Sequence, residues 1–300
     1  MSALLLLVAC LLLGFLTARM ARPPAALAQS LHWWVLNVAF SALVLHLMPT
    51  LEFDWQFWFL AASMWLVFLG AWGTFAMLGR VLHWPRARVG VLALAGGFGA
   101  TAFIGFPIIE ALHGREALKL ALVADQLGGF LAVTIGGTLV AALYSGRSPS
   151  PAAIARRVLT FPPLISLAVG AIVGVAGGWP DAVDAILDRI GATLIPMALF
   201  SVGLQLRLEF RAGQIAALGL ALGYKLALAP LVIYLAGLAA GVSDGILTVA
   251  VLEAAMAPQV TATLLAEQND LEPQLAVAIL GVGIASSLVT VPLVNLLLIQ

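Results

Sequence analysis

The sequence predicts an all-α integral membrane protein: ten transmembrane helices in a 5+5 inverted repeat, with broken crossover helices in spans 4 and 9. Three observations carry this prediction. Of 300 residues, 63% are hydrophobic and 9% charged, against roughly 25% charged residues in a soluble domain. The apolar residues fall into ten stretches of near-spanning length. The fourth and ninth stretches are interrupted by glycine and proline at corresponding places.

The composition excludes broad classes of function. Fourteen basic and fourteen acidic residues cannot clothe a soluble surface of this size, and the mean hydropathy is +1.10. A soluble enzyme, a nucleic-acid binder and a disordered hub are ruled out. The net charge of zero identifies no partner, because in a membrane protein the distribution of charge matters more than the sum. Cys10 is the single cysteine and cannot form an internal disulfide.

A span needs about 20 apolar residues. The expected spans are 3–19, 31–48, 56–79, 89–112, 117–142, 160–178, 184–206, 214–238, 245–266 and 274–299. Ala26-Leu27-Ala28 resembles a signal-peptide cleavage site. However, no basic residue precedes the first apolar run, and Arg19 and Arg22 follow it, the reverse of a signal peptide. A retained helix with its N-terminus outside is expected. Residues 1–145 would form the first repeat, 146–159 a cytoplasmic linker and 160–300 the second repeat. The linker holds Gly146, Pro149, Pro151 and three arginines and reads as solvated.

Basic residues set orientation. One set of alternate loops holds ten: Arg19, Arg22, Arg80, Arg86, Arg88, Arg147, Arg156, Arg157, Arg207 and Arg211. The opposite loops hold three: Arg115, Lys119 and Arg189. The first set should be cytoplasmic, which places both termini outside. The Glu267, Asp270 and Glu272 loop then falls inside without a basic residue.

The halves resemble each other. Span 2 carries Phe40-Ser41-Ala42-Leu43 and then Leu51-Glu52-Phe53; span 7 carries Phe200-Ser201-Val202-Gly203 and then Leu208-Glu209-Phe210. Thr134 precedes Gly136-Gly137 in span 5, and Thr290 precedes Pro292 in span 10. Five spans per half invert the second copy, the construction of many secondary transporters.

The breaks are Gly96-Gly97-Phe98-Gly99 through Gly105-Phe106-Pro107 in span 4, and Glu253 through Ala257-Pro258-Gln259-Val260-Thr261 in span 9. Proline removes a helical hydrogen bond and clashes with the preceding turn. It also suits the first turn of a new helix, so Pro107 and Pro258 are expected to start second half-helices. A single proline in a span is commonly only a kink. Two in corresponding spans point to a binding site, where new helix N-termini attract an anion.

Three charged residues fall deep within spans: Asp125, Lys225 and Glu253. Each costs roughly 2.5–3.5 kcal/mol at a helix centre, so each should face the protein interior and mark an ion or substrate path. Lys225 is either a counter-charge for the carbonyl end of a broken helix or an anion ligand. Asp125 is either its ion-pair partner or a proton or cation site. Together the three sum to minus one when ionised, so one carboxyl should hold a proton or a cation. Gln126, Gln259, Thr101, Thr261 and Thr263 are uncharged ligand candidates, with helix–helix hydrogen bonding as the plainer role. The four histidines are scattered, and no H-E-x-x-H, G-x-S-x-G or P-loop pattern occurs. A membrane enzyme lacks its catalytic cluster.

At the breaks the chain resembles the auxin efflux carrier family in its compact bacterial form. Ala100-Thr101-Ala102-Phe103-Ile104-Gly105-Phe106-Pro107 matches a family stretch near N-T-G-F-L-G-L-P, and Ala254 to Pro258 matches A-A-M-P with Ala257 inserted. Phe161-Pro162-Pro163-Leu164, Ile195-Pro196-Met197-Ala198-Leu199 and Leu228-Ala229-Pro230-Leu231 also match. The resemblance covers essentially the whole chain. It implies that spans 1, 2, 6 and 7 form a scaffold and homodimer interface, and that spans 3–5 and 8–10 form a moving transport domain. It also implies a small organic anion as substrate, such as auxin in plants or malonate in bacteria, and a place in the bacterial inner membrane. Ala100 stands where the family usually has a substrate-contacting asparagine, which argues against auxin-like recognition. Glu253, just before the second break, is similar to an acid in the sodium–bile acid symporters, which share the general architecture.

The resulting expectation is a secondary transporter of a small carboxylate working by alternating access. Asp125, Gln126 and Glu253 would take the coupling ion, H+ or Na+, with Na+ held at Asp125 and Glu253. Thr101, Gly105, Pro107, Lys225, Pro258, Gln259 and Thr261 would bind substrate. No other cofactor and no nucleic acid are expected; the partners are the substrate, the bilayer and a second copy. An uncoupled uniporter or channel for organic anions is the alternative.

Overall fold

The computed structural model describes residues 2–21, 23–24, 26–52, 54–206 and 212–298. Arg22, Phe53, Arg207, Leu208-Glu209-Phe210 and Arg211, used above for orientation and for the repeat, lie outside the described residues. The described secondary structure is helical apart from a single β-bridge. In chain order the helices are α1 Ser2–Met20, α2 Ala26–Thr50, α3 Phe57–Val81, α4 Arg86–Gly97, α5 Thr101–His113, α6 Ala117–Ser145 and α7 Pro151–Leu159. They continue as α8 Pro162–Val175, α9 Asp181–Gln205, α10 Ile215–Ala240, α11 Asp244–Ala254, α12 Val260–Gln268 and α13 Pro273–Leu298.

Six of these are long and apolar enough to cross a membrane: α2, α3, α6, α9, α10 and α13. The bent pair α7 and α8 makes a seventh if counted as one span. These helices expose large apolar side chains around much of their circumference, Met77 and Leu297 among them. In water such faces would drive aggregation; in hydrocarbon they are the solvated surface.

Helix ends follow local chemistry. Extended Pro85 and Ser243 set the entries to α4 and α11. Left-handed Gly146 and Gly241 stop α6 and α10 (φ 75° and 65°), where an L side chain would be strained.

Two differences from the sequence reading concern these boundaries. The expected linker 146–159 contains a helix, α7, with no buried residue. The break in span 4 falls at residues 98–100, and helical turns resume at Thr101. Pro107 therefore does not start the second half-helix. It follows the wide π turn Thr101–Gly105, a loosened turn that relieves the proline's clash with the preceding carbonyl.

The chain forms two compact units. Unit 1 takes the described residues of Met1–Asp54, Ala102–Leu122 and Ala155–Leu206. Its α1 lies against the second half of α9. There an added Cβ on Gly203 would strike the Leu11 carbonyl, and one on Gly14 the Phe200 carbonyl. Phe40 and Phe106 meet edge to face at 5.3 Å in its core. The Trp179 indole donates to the Leu45 carbonyl at 2.8 Å, tying the segment after α8 to α2.

Unit 2 takes the described residues of Trp55–Thr101, Val123–Ile154 and Arg207–Gln300. Phe68 stacks on Phe98 at 4.8 Å, and the Tyr224 hydroxyl donates to the Val67 carbonyl at 2.8 Å. The acidic loop before α13, which lacks basic residues of its own, finds them in space. Arg88 pairs with Glu272 at 3.0 Å, and Arg147 donates to the Gln268 carbonyl at 2.8 Å.

The glycine contact between α1 and α9 generates a prediction. Gly203→Leu forces side-chain volume into a backbone approach and should lower stability by about 1–3 kcal/mol, the range for overpacking. Exposed Gly219, whose added Cβ would meet nothing within 4 Å, serves as control: Gly219→Ala should leave the detergent melting temperature unchanged or raised.

Candidate functional site

The site is built around two unwound segments of unit 2. Residues 98–100 follow α4 and residues 257–259 precede α12. Phe98 (φ −125°, ψ 135°) and Gln259 (φ −84°, ψ 136°) are extended. The segments pair antiparallel, Gly99 opposite Pro258. The Ala100 amide donates to the Ala257 carbonyl at 2.7 Å, and the Gln259 amide donates to the Phe98 carbonyl at 3.1 Å. These bonds flank the Gly99–Pro258 position, which is therefore the non-hydrogen-bonded pair, where a residue without an amide hydrogen loses nothing. An added methyl on Gly283 of α13 would collide with the Pro258 ring, so a glycine is needed where α13 passes.

The three intramembrane charges belong to this unit, and all three are buried. Asp125 accepts a hydrogen bond from the Thr101 hydroxyl and another from Gln126 Nε2 at 2.7 Å. Lys225 Nζ donates to the Ala254 carbonyl at 2.8 Å, at the C-terminal end of α11. That end carries the negative pole of the helix dipole, and Lys225 stands where a counter-charge for it would. An ammonium has three donors, and the pairing with Ala254 engages one. A Cβ on Gly99 would lie 3.1 Å from Lys225 Nζ and 3.2 Å from the Glu253 carbonyl. A side chain there would crowd both the lysine and that carbonyl.

Glu253 differs from the other two. It is fully buried, and neither carboxylate oxygen has a hydrogen-bond partner among the described residues. The charges of Asp125 and Lys225 both act on it. Gln126 Oε1 and Thr134 Oγ1 are likewise buried without partners. Buried polar atoms are normally satisfied, which sets the two Glu253 oxygens apart from those of Asp125.

A cavity of about 10 Å³ lies at the crossing, lined by residues that include Met64, Gly99, Thr101, Lys225 and Gln259. It has room for about one water molecule and none for an organic anion. Unit 1 has a larger cavity of about 460 Å³ beside Pro107, Glu110 and Arg115. Its walls include Leu6 of α1, an outward-facing side chain, and its arginine is already paired with Asp188. It is open, mostly apolar space lined by unit 1 residues.

The structure thus brings together Thr101, Asp125 and Gln126, and sets Lys225, Glu253, Pro258 and Gln259 at or next to the crossing. Gly105 and Pro107 fall in unit 1. Thr261 is half-buried in the first turn of α12. The sequence reading did not single out Gly99 as the residue beside Lys225, nor Tyr224 as the brace one position before it. Nor did it foresee that Thr101, Asp125 and Lys225 each lie in a π turn: Thr101–Gly105, Ala124–Gly129 and Tyr224–Leu228. Such turns are frequent at functional sites, but no sequence pattern announces them.

The comparisons with known proteins agree with this picture. The chain is 29% identical over 213 residues to an uncharacterized transporter of Methanothermobacter thermautotrophicus, covering 69% of this chain and 67% of that protein. It is 31% identical over 125 residues to an uncharacterized transporter of Methanocaldococcus jannaschii, covering 40% of this chain and 39% of that protein. The profile of the family described as membrane transport protein matches residues 1–295. The chain belongs to that membrane transport protein family, the auxin efflux carriers.

Proposed function

We propose that the protein is a secondary transporter that moves a small organic anion across the plasma membrane by alternating access, coupled to protons or sodium. The single observation that carries this reading is the buried, unpartnered carboxylate of Glu253 beside a crossing of two unwound helices that also holds Lys225 and Asp125. Ionisable groups inside a membrane are costly and are kept where ions or substrates pass. Discontinuous helices whose ends meet are the usual construction of a transporter site.

The reading has ten spans, in which α4 with α5 and α11 with α12 are broken spans 4 and 9 of an inverted repeat, with both termini outside. Their counterpart positions in the two halves, and the pairing of Gly99 with Pro258, support it. Unit 1 holds α1, α2, α8 and α9, the proposed scaffold, together with residues 102–122 from α5 and α6, which the sequence reading assigned to the moving domain; unit 2 holds the crossing and carries the proposed site. The scaffold leaves Ile165, Val169, Ile172 and Val175 of α8 exposed, a face for a second copy in the homodimer.

Within the site the roles divide by chemistry. Asp125, already accepting from Thr101 and Gln126, and Glu253, with both oxygens free, take the coupling ion. The remaining donors of Lys225, the amides at the start of α12, and Gln259 and Thr261 take the carboxylate. The cavity at the crossing must open to admit it.

The test is thermal unfolding of the purified protein in detergent, with small mono- and dicarboxylates, at two pH values, in sodium or potassium. A ligand of the folded state adds about 2.7 kcal/mol at one hundred times its dissociation constant. Sodium-specific stabilisation should vanish in Glu253→Gln, while Lys225→Gln should lose the carboxylate response and keep the ion response. Stabilisation by a carboxylate that ignores sodium and persists in Glu253→Gln would replace coupling by uniport. In proteoliposomes, Asp125→Asn should abolish gradient-driven uptake and leave exchange of substrate intact; unchanged uptake would make Asp125 structural.

A further inference from the structure

Helix α7 has a composition unlike any spanning helix in this chain. Its nine residues are Pro-Ala-Ala-Ile-Ala-Arg-Arg-Val-Leu. At 100° per residue, Ile154, Ala155, Val158 and Leu159 fall on one side, and Arg156 and Arg157 fall on the other. The helix buries no residue: Ile154 and Val158 are half-covered, and Leu159 is 73% exposed. It meets α8, the apolar helix that follows, at a bend of 49°. The side chains of Arg156 and Arg157 make no hydrogen bond or ion pair among the described residues, and the helix contains no acid.

Each property points the same way. Nine residues are too few to span a bilayer. An apolar side left open next to an apolar helix has hydrocarbon, not water, as its compatible surroundings. Two unpaired guanidiniums opposite that side match a layer of phosphate groups, which arginine binds with paired donors. A short helix with an apolar side and a basic side lies in the plane of the membrane–water interface.

We propose that α7 is an interfacial helix that binds the headgroups of anionic phospholipids through Arg156 and Arg157, with Ile154, Val158 and Leu159 at the acyl boundary. Zwitterionic lipid also presents a phosphate, but its choline cancels the surface charge, so the lipid recognised is the one with net negative charge. Basic residues near such a surface gain about fivefold each in binding. The inference does not depend on which substrate the protein carries.

The experiment uses the full chain in nanodiscs. Cys10→Ala removes the native thiol, and Ala155→Cys, exposed on the apolar side of α7, takes an environment-sensitive NBD fluorophore. Discs contain either phosphatidylcholine alone or phosphatidylcholine with phosphatidylglycerol. The emission should be blue-shifted, and quenched by nitroxide lipid, in the phosphatidylglycerol discs and less so in phosphatidylcholine alone. The difference should shrink with added salt, disappear in Arg156→Gln/Arg157→Gln and survive in Arg156→Lys/Arg157→Lys. Equal emission in both kinds of disc would overturn recognition of anionic headgroups. Water-like emission in both would overturn the interfacial placement altogether.

Discussion

Backbone that leaves a helix inside a bilayer must find hydrogen bonds within the protein, because hydrocarbon offers none and each unmet group costs several kcal/mol. This constraint shapes the centre of the molecule. Two helices unwind for three residues each, and the unwound segments satisfy one another through the Ala100–Ala257 and Phe98–Gln259 bonds. Gly99 and Pro258 occupy the one pair of positions in that bridge where no amide donor is required. The C-terminal end of α11 is met by a side chain, Lys225, which donates to the Ala254 carbonyl. The same arrangement that makes the break tolerable leaves helix termini and charged groups concentrated in one place.

The charges follow from this. Lys225 is held by a carbonyl and by the pole of α11, and Asp125 is held by Thr101 and Gln126. Glu253 has no such partner among the described residues. A structure selected only for stability would satisfy that carboxylate or replace it with an apolar side chain of similar volume. Retaining it buried and unmatched is understandable when its partner is something that comes and goes. The cavity at the crossing has room for about one water and none for an organic anion.

Much of this was legible in the sequence. Charges within apolar runs stand out, so Asp125, Lys225 and Glu253 were identifiable without a structure, as was the paired interruption of the fourth and ninth stretches. The exact point of the first break was not. Pro107 is the obvious disruptor, yet helical turns continue through it, and the chain unwinds at Phe98 to Ala100. The cause is tertiary: Phe98 stacks on Phe68, and a side chain on Gly99 would crowd Lys225. The π turns at Asp125 and Lys225 are also hidden, since no sequence pattern announces them. Helix α7 was read as linker because glycine, prolines and arginines dominate the window, although its own nine residues have a clean amphipathic period. The inverted repeat was read partly from the pair Leu51-Glu52-Phe53 and Leu208-Glu209-Phe210, which includes residues the structure does not describe.

The central claim is that the crossing couples an anion to an ion. It is tested most directly by uptake into proteoliposomes of the carboxylate that stabilises the purified protein, with that carboxylate at equal concentration on both sides. A sodium or a proton gradient is then imposed alone. Transient accumulation above the starting concentration, driven by one of the two gradients and collapsed by the matching ionophore, is the result the account predicts. Flux that only ever follows the carboxylate's own gradient and the voltage, indifferent to both ions, would contradict it and leave Glu253 without the role assigned here.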